Sequence, residues 1–396
     1  MSGKTARQFL LLWPLCSSLS WCQGWISGRV TDAQTQNPLE AVNIFLSNTI
    51  LGTTTAEDGD FLLTDIPPGK YDLIISMIGY SVQKREVQID TTSELDFNIQ
   101  LHQEPITLPE VVVTARDMRK WRQSLKTFKK AFLGNSANAL ETQIRNEKIL
   151  DFQHHGEKLI ATASAPLIIE NKALGYLIEY NLEAFEATTE YVKFSGNPLF
   201  RELPAENESQ RERRESNRLK AYNGSLRHFI TVISNLYVNK YDQFKSQSQD
   251  GGPPQTALVG GSQMASVDLL LQEGFRTVLS FGIGERYKKE ELVDINKLLS
   301  PASRNNELYL KFTGYLQVEY LLEKEPQTYL RDFGIQRFPG AQVSWLTLQA
   351  DSIIIDVKGR YFERYMIQTS GYMAWERIAD MLPFGYEPPG NGRLLK

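Results

Sequence analysis

Between Trp25 and Leu101 the chain alternates short apolar runs with turn residues so regularly that strands of a few residues are what it can form. Val42, Ile44 and Leu46 alternate with Asn43, Phe45 and Ser47, a period of two with one apolar face and one mixed face. Phe61-Leu62-Leu63 and Leu73-Ile74-Ile75 are continuous apolar runs, the pattern of strands in a sandwich core. Between them, Pro67-Pro68-Gly69 joins a fixed φ to a residue free to take positive φ, which suits a tight turn. Asp58-Gly59 and Gly79 mark further corners. Several short strands at spacings of roughly 8–12 residues predict a sandwich or a barrel.

The order of the segments carries more than their number. Ile26-Ser-Gly-Arg-Val-Thr-Asp32 comes first, followed by Asn37-Pro-Leu-Glu-Ala-Val-Asn-Ile-Phe-Leu46 and Gly52-Thr-Thr-Thr55. Glu57-Asp-Gly-Asp-Phe61, Pro67-Pro-Gly-Lys-Tyr71 and Ile78-Gly-Tyr80 complete the series. This order resembles the carboxypeptidase regulatory-like domain, a seven-stranded, transthyretin-like β-sandwich, here over residues 25–103. The resemblance implies a bacterial, Gram-negative cell envelope, where such modules precede receptors and secreted proteins. It implies no reaction.

Ahead of the sandwich, Lys4 and Arg7 form a basic start, and Phe9–Trp13 with Leu15 an apolar stretch. A bilayer span needs about 20 apolar residues, so residues 1–24 are predicted to be a secretory signal, removed within 22–24. Leu19-Ser20-Trp21-Cys22 approaches a lipidation box, from which Trp21 departs. Both cysteines, Cys16 and Cys22, fall in or beside this segment. The mature chain is then expected to lack an internal disulfide, a zinc–thiolate site and a cysteine nucleophile. A net charge of −4 and a pI near 5.8 give no support to nucleic-acid binding. Without a later stretch of membrane-spanning length, the expectation is an exported protein, periplasmic or associated with the outer membrane, soluble or peripherally attached.

Residues 104–116 read as a linker strand. Leu108-Pro-Glu-Val-Val-Val-Thr-Ala115 is similar to the segment that joins such a sandwich to the plug of TonB-dependent outer-membrane receptors. No barrel-forming series follows, so a complete receptor is not expected. Two readings of Val111, Val112 and Val113 stay open: an extended β-branched strand offered to a partner's sheet edge, or a strand completing a domain of its own.

From Arg116 the period changes to 3.6. Met118, Trp121, Leu125, Phe128 and Phe132 fall on one helix face, and Gly134 ends the pattern. The remaining face is basic, with Arg119, Lys120, Arg122, Lys126, Lys129 and Lys130. Such a helix either contacts an anionic membrane or acidic partner, or packs on its own domain with its lysines in water.

Residues 144–203 predict an antiparallel β-region, with a hairpin tip at His154-His155-Gly156-Glu157. Glu206–Lys220, where acids and bases interleave, reads as a solvated helix or loop. Gly224-Ser225 divides it from an apolar helix beginning at Leu226. Residues 250–261 read as a flexible loop. Strands follow at 308–312, 316–320, 344–348 and 352–356, the last two as a hairpin, and then a short helix over 374–382. Phe132-Leu-Gly134, Leu167–Tyr180, Ala221–Phe229 and Gly371–Pro383 resemble the envelope proteins called carboxypeptidase-like regulatory domain-containing proteins, a resemblance that brings no assigned chemistry.

Catalytic patterns are sparse. His154-His155-Gly156-Glu157 has His-x-x-Glu spacing, but zinc needs a third protein ligand and an open position. The only later histidine, His228, lies on an apolar helix and is expected to be a hydrogen-bonded core residue. The sequence has no Gly-x-Ser-x-Gly elbow and no phosphate-binding Gly-x-x-x-x-Gly-Lys, and Phe281-Gly-Ile-Gly-Glu285 lacks the third glycine of a dinucleotide site.

The sequence therefore predicts an N-terminal all-β transthyretin-like sandwich followed, over 117–390, by an α+β domain with mostly antiparallel sheet. Its expected role is a non-catalytic envelope interaction or adaptor protein, with no cofactor and no metal. The expected partner is an envelope protein or polymer, or peripherally the membrane, met by Val111, Val112, Val113, Arg119, Lys120, Arg122 and Lys126. The alternative is an envelope hydrolase acting on peptide or glycan, its site assembled from unrecognised carboxylates and His228.

Overall fold

The computed structural model describes residues 24–104, 115–247, 263–280, 291–304, 307–361 and 365–389. Val111–Val113, the 250–261 segment and Phe281–Glu285 lie outside the described residues. The chain divides into two compact units, residues 24–45 with 52–104, and residues 46–51 with the described chain after 115.

The first unit is built on seven strands: β1 (Gly24–Asp32), β2 (Asn43–Leu46), β3 (Gly52–Thr54), β4 (Asp60–Ile66), β5 (Gly69–Ser76), β6 (Gln83–Ile89) and β7 (Glu94–Leu101). They form a three-stranded sheet, β4-β1-β7, and a four-stranded sheet, β3-β2-β5-β6. β1 runs parallel to β7 and antiparallel to β4. Gly28 stands where β1 passes its neighbours most closely: a Cβ there would meet the Phe97 carbonyl oxygen at 2.0 Å and the Phe61 ring at 2.9 Å. The core is apolar, with Ile26, Val30, Ile44, Leu73, Ile74 and Ile75 fully buried. Two sequence expectations are corrected. Leu62 is 56% exposed, because β4 alternates in and out and, of the Phe61-Leu62-Leu63 run, Phe61 and Leu63 point inward. Phe45, placed on a mixed face, is buried along with Ile44 and Leu46, so β2 is covered on both sides.

At the end of β1, Asp32 closes the unit. Its Oδ1 accepts from the Gln34 and Thr35 amides, both at 2.8 Å, and its Oδ2 accepts from Tyr80 Oη and Gln103 Nε2, both at 2.9 Å. These donors hold the carboxyl far below the usual carboxylate range, the Thr35 amide most of all.

In the second unit, α1 (Ala115–Leu133) and α2 (Ala137–Leu140) precede β8 (Thr142–Ile144), β9 (Leu150–His155), β10 (Lys158–Ala163), β11 (Leu167–Asn171), β12 (Tyr176–Ala187) and β13 (Val192–Glu202). The six strands make one antiparallel sheet in which the long β12 is central, pairing β10, β11 and β13. Against this sheet α1 inserts Leu125, Phe128 and Phe132. The Phe128 ring lies 4.6 Å from Phe185, and Phe132 lies 5.2 Å from both Tyr180 and Phe194.

Next come α3 (Glu208–Tyr222), α4 (Leu226–Gln247), α5 (Gln263–Gln272), β14 (Phe275–Ser280), β15 (Glu291–Leu292), α6 (Ile295–Leu298), β16 (Leu299–Pro301), β17 (Glu307–Leu310) and β18 (Tyr315–Lys324). The remainder is α7 (Gln327–Asp332), β19 (Ala341–Leu348), β20 (Ile353–Asp356), β21 (Ile367–Gly371), α8 (Tyr372–Trp375) and a 3₁₀ turn at Ile378–Asp380. A five-stranded sheet, β15-β14-β18-β19-β21, and a three-stranded sheet, β16-β17-β20, share a core with Phe229, Ile230 and Ile233 of α4. The fold is thus a β-sandwich followed by a region of antiparallel sheets and helices, as the sequence predicts.

Three details of that region differ from expectation. β19 and β20 are not a hairpin: β19 pairs β18 and β21, while β20 pairs β17 in the other sheet. The short connection between them carries the chain across a shared core rather than back along an edge. The helix expected over 374–382 is two separate short pieces, interrupted at Glu376 and Arg377, whose backbone is extended. The charge run at 206–220 is a helix, but it is not wholly solvated. Arg214 is buried and donates to the Leu203 and Pro204 carbonyls at 2.7 and 3.1 Å, while the Arg218 guanidinium sits 4.2 Å over the Tyr176 ring. Between α3 and α4, Gly224 takes φ +74°, and a Cβ there would stand 2.1 Å from Gln342 Oε1.

Candidate interaction surface

Helix α1 is fixed to its sheet before it offers anything to solvent. Besides the phenylalanines, Trp121 Nε1 donates to the Leu150 carbonyl at 3.0 Å, and Ser124 Oγ is hydrogen-bonded to His154 Nε2 at 2.8 Å. Lys129 forms an ion pair with Glu147. The five other cations from Arg119 onward, Arg119, Lys120, Arg122, Lys126 and Lys130, are exposed, and among the described residues none of them has an ion-pair partner. Arg119, Arg122, Lys126 and Lys130 are spaced by three, four and four residues, so they form one stripe. At 1.5 Å per residue that stripe is about 16 Å long. It lies opposite the buried face, because Phe128 and Phe132 are half a turn away from it.

The stripe runs toward an open cleft of about 300 Å³ at the C-terminal end of α1. Lys130, Asn135 and Leu140 line it from the α1–α2 side, and Thr328, Arg331 and Asp332 from α7. Asp332 is held in place: its Oδ2 accepts from Asn135 Nδ2 at 3.0 Å and from Trp375 Nε1 at 2.9 Å. Arg331 is exposed and, among the described residues, has no ion-pair partner. Leu140 is 85% exposed.

The residues weighed for catalysis do not assemble. His154 is bonded to α1, and His155 and Glu157 stand at an exposed hairpin tip. Among the described residues no group of three or more His, Cys, Asp or Glu side chains is placed to hold a metal ion. His228 is buried in the other core, its ring 4.8 Å from Tyr222 and 4.9 Å from Phe275, and its Nδ1 accepts from the Gly224 amide at 3.1 Å. Burial pushes its pKa down to about 4, so it is neutral at physiological pH.

Three buried carboxyls of the second unit are not legible in the sequence. Glu376, Asp380 and Glu323 are all held above the ordinary carboxyl range, in each case first by burial. For Glu376 the neighbouring Asp380 and Glu323 charges add to it. Asp380 Oδ1 is committed to Ser136 Oγ and Asn138 Nδ2, both at 2.9 Å. Glu323 accepts from Asn223 Nδ2 at 2.9 Å.

The first unit belongs to the class of transthyretin-like β-sandwiches. Residues 26–113 match the family model of the CarboxypepD_reg-like domain, so the sandwich is a domain of that kind. The match runs through Val111–Val113. No curated protein matches the chain. Among solved structures, the chain is similar to a pilus 2b backbone protein of group B streptococcus at 17% identity, over 20% of this chain and 41% of that one, with a TM-score of 0.18. A putative membrane-associated protein of Bacteroides fragilis matches at 14% identity, over 41% of this chain and 65% of that one, with a TM-score of 0.17. A streptococcal ancillary pilin matches at 12% identity, over 48% and 60%, with a TM-score of 0.19. The chain thus spans less than half of the pilus backbone protein. Superpositions this partial carry no argument about function. Among the described residues no helix is long and apolar enough to cross a membrane.

Proposed function

We propose that this is an exported, non-catalytic interaction protein of the cell envelope, in which α1 presents a fixed cationic stripe to an anionic partner. The observation that carries the reading is the stripe itself: Arg119, Arg122, Lys126 and Lys130 lie on one face, unpaired among the described residues, on a helix whose opposite face is locked in a core. An ordinary surface helix interleaves acids and bases, as α3 does. From Met118 to Leu133, α1 has no acid at all. The CarboxypepD_reg-like domain supports an envelope location. Val111–Val113 is the second proposed contact.

The test is binding of the full chain to envelope fractions at low and high salt, alongside an Arg119→Glu, Arg122→Glu, Lys126→Glu variant. Exposed charges are screened beyond about 10 Å at 0.1 M salt. The reading expects retention that weakens with salt and is lost in the variant. Salt-independent retention unchanged by the variant would sink it.

A further inference from the structure

We infer that the cleft between α1 and α7 receives one carboxylate of an acidic peptide segment between Lys130 and Arg331, with an adjacent apolar side chain of that segment resting on Leu140. The inference rests on the anionic-partner reading and names the partner's chemistry. Three observations lead to it. Lys130 belongs both to the stripe and to the cleft, so a chain lying along Arg119, Arg122 and Lys126 runs into the cleft. Arg331, from a different helix, adds a second cation without an ion-pair partner among the described residues, and the Asp332 carboxylate in the same lining is turned by its Oδ2 onto Asn135 and Trp375, so the two cations outnumber one anion. Leu140 exposes an apolar side chain beside those cations, with nothing of the described protein covering it.

A peptide fits this mixture better than other polyanions. An extended chain rises about 3.3 Å per residue and turns successive side chains to opposite sides, so a stripe of about 16 Å takes roughly five residues. Acidic polysaccharides and nucleic-acid backbones bring charge at a regular spacing but no apolar side chain for Leu140. A bilayer fits less well. An interfacial helix buries its apolar face in lipid, whereas Leu125, Phe128 and Phe132 are already committed to the core. Withdrawing them would forfeit roughly 1.5–3 kcal/mol each.

The experiment measures fluorescence anisotropy of a labelled peptide of about six residues, glutamates with one central leucine, and of the same peptide with serine in place of leucine. The full chain is compared with Lys130→Gln plus Arg331→Gln, with Leu140→Ser, and with Arg119→Gln plus Arg122→Gln plus Lys126→Gln. Vesicles one-third anionic phospholipid serve as the second probe. The inference expects the cleft variant to bind at least about tenfold more weakly, and Leu140→Ser to abolish the preference for the leucine peptide. All substituted side chains are exposed, so folding is checked by unchanged melting. If the stripe variant loses binding while the cleft variant keeps it, the cleft inference falls and the anionic-partner reading stands. If the peptides do not bind and the vesicles do, through the stripe, the peptide is overturned in favour of a membrane. If neither probe binds, the peptide inference falls, and the anionic-partner reading stands or falls on the salt-dependent retention by envelope fractions.

Discussion

The Arg227 guanidinium donates through Nη1 to the Pro383 carbonyl at 2.7 Å, and through Nη2 to the Phe384 and Tyr386 carbonyls at 2.6 and 2.8 Å. One side chain on α4 therefore holds the segment at 383–386 by its backbone. Burial lowers the Arg227 pKa, and the nearby Arg360 lowers it further, yet a guanidinium keeps its charge in such a setting. Arg227→Ala would leave the Phe384 and Tyr386 carbonyls without the guanidinium, and the Pro383 carbonyl with the Tyr386 amide alone, and is expected to cost roughly 2–5 kcal/mol in denaturant unfolding. Arg227→Lys should recover only part of this, because a single ammonium cannot match the fork. Hydrogen exchange at the Tyr386 amide should accelerate in both variants. A Tyr386 amide as protected in Arg227→Ala as in the wild type would contradict the account.

His228 gives the fold an acid-side limit. Its pKa falls from the ordinary 6.5 to about 4 on folding, because burial penalises the imidazolium. The unfolded chain then binds more protons than the folded one between these values, so stability rises with pH across the window. The contribution is complete above about pH 6.5 and is lost as pH falls toward 4, on the order of 3 kcal/mol in all. His228→Phe should flatten this part of the stability profile. It should also cost about 1 kcal/mol at neutral pH, since the Gly224 amide loses its acceptor. Urea titrations at several pH values decide it: an equal slope in both proteins would refute the assignment.

The comparison of these two neighbours shows what the sequence could reveal. His228 was legible as a core histidine because it sits within an apolar run, whereas the partners of Arg227 lie more than a hundred residues downstream. The same division holds across the fold. The stripe on α1 follows from a period of 3.6, which places Leu125, Phe128 and Phe132 in the core; Met118, on the same face, is 38% exposed at the start of the helix, and Lys129 is drawn into an ion pair with Glu147. The cleft joins Lys130 to Arg331 through tertiary packing alone, and no local pattern anticipates it. Strand patterns located β19 and β20 but not their partners, because alternation specifies which face is buried and says nothing about which neighbour supplies the hydrogen bonds. The sequence predicts a solvated Arg214, because a helix polar all round gives no hint that one guanidinium is turned inward onto carbonyls.

Glu376 gives a limit on the other side. Burial raises its pKa well above the ordinary glutamate value, and Asp380 and Glu323 reinforce the shift. The folded chain therefore holds a proton that the unfolded chain releases near pH 4.5. Stability falls as pH climbs from there through the folded pKa, since ionisation then places a carboxylate in a recess beside two others. Glu376→Gln keeps the shape and removes the charge. It should raise the melting temperature at pH 8, by roughly 2–4 °C for each kcal/mol gained, and the gain should vanish at pH 4. Calorimetry at both pH values tests this. A lower melting temperature for the variant at pH 8 would mean that the ionised carboxylate has a stabilising partner.

Asp32 offers the sharpest test in the sandwich, because four donors converge on one carboxylate. They depress its pKa, so its contribution is present above the ordinary aspartate value and is lost only as pH falls through the folded one. Asp32→Asn leaves one amide oxygen to accept and places a donor group facing donors, whereas Asp32→Ala removes every acceptor. Both should loosen the turn at Gln34 and Thr35 and free Tyr80 and Gln103, with the alanine variant the worse folded. The measurement is hydrogen exchange resolved by residue. Protection should fall first at the Gln34 and Thr35 amides, while the Ile74 and Ile75 amides inside β5 keep theirs until global unfolding. Uniform loss across the sandwich would show that Asp32 is needed for the whole unit to fold, and no loss at Thr35 would remove the turn from the account.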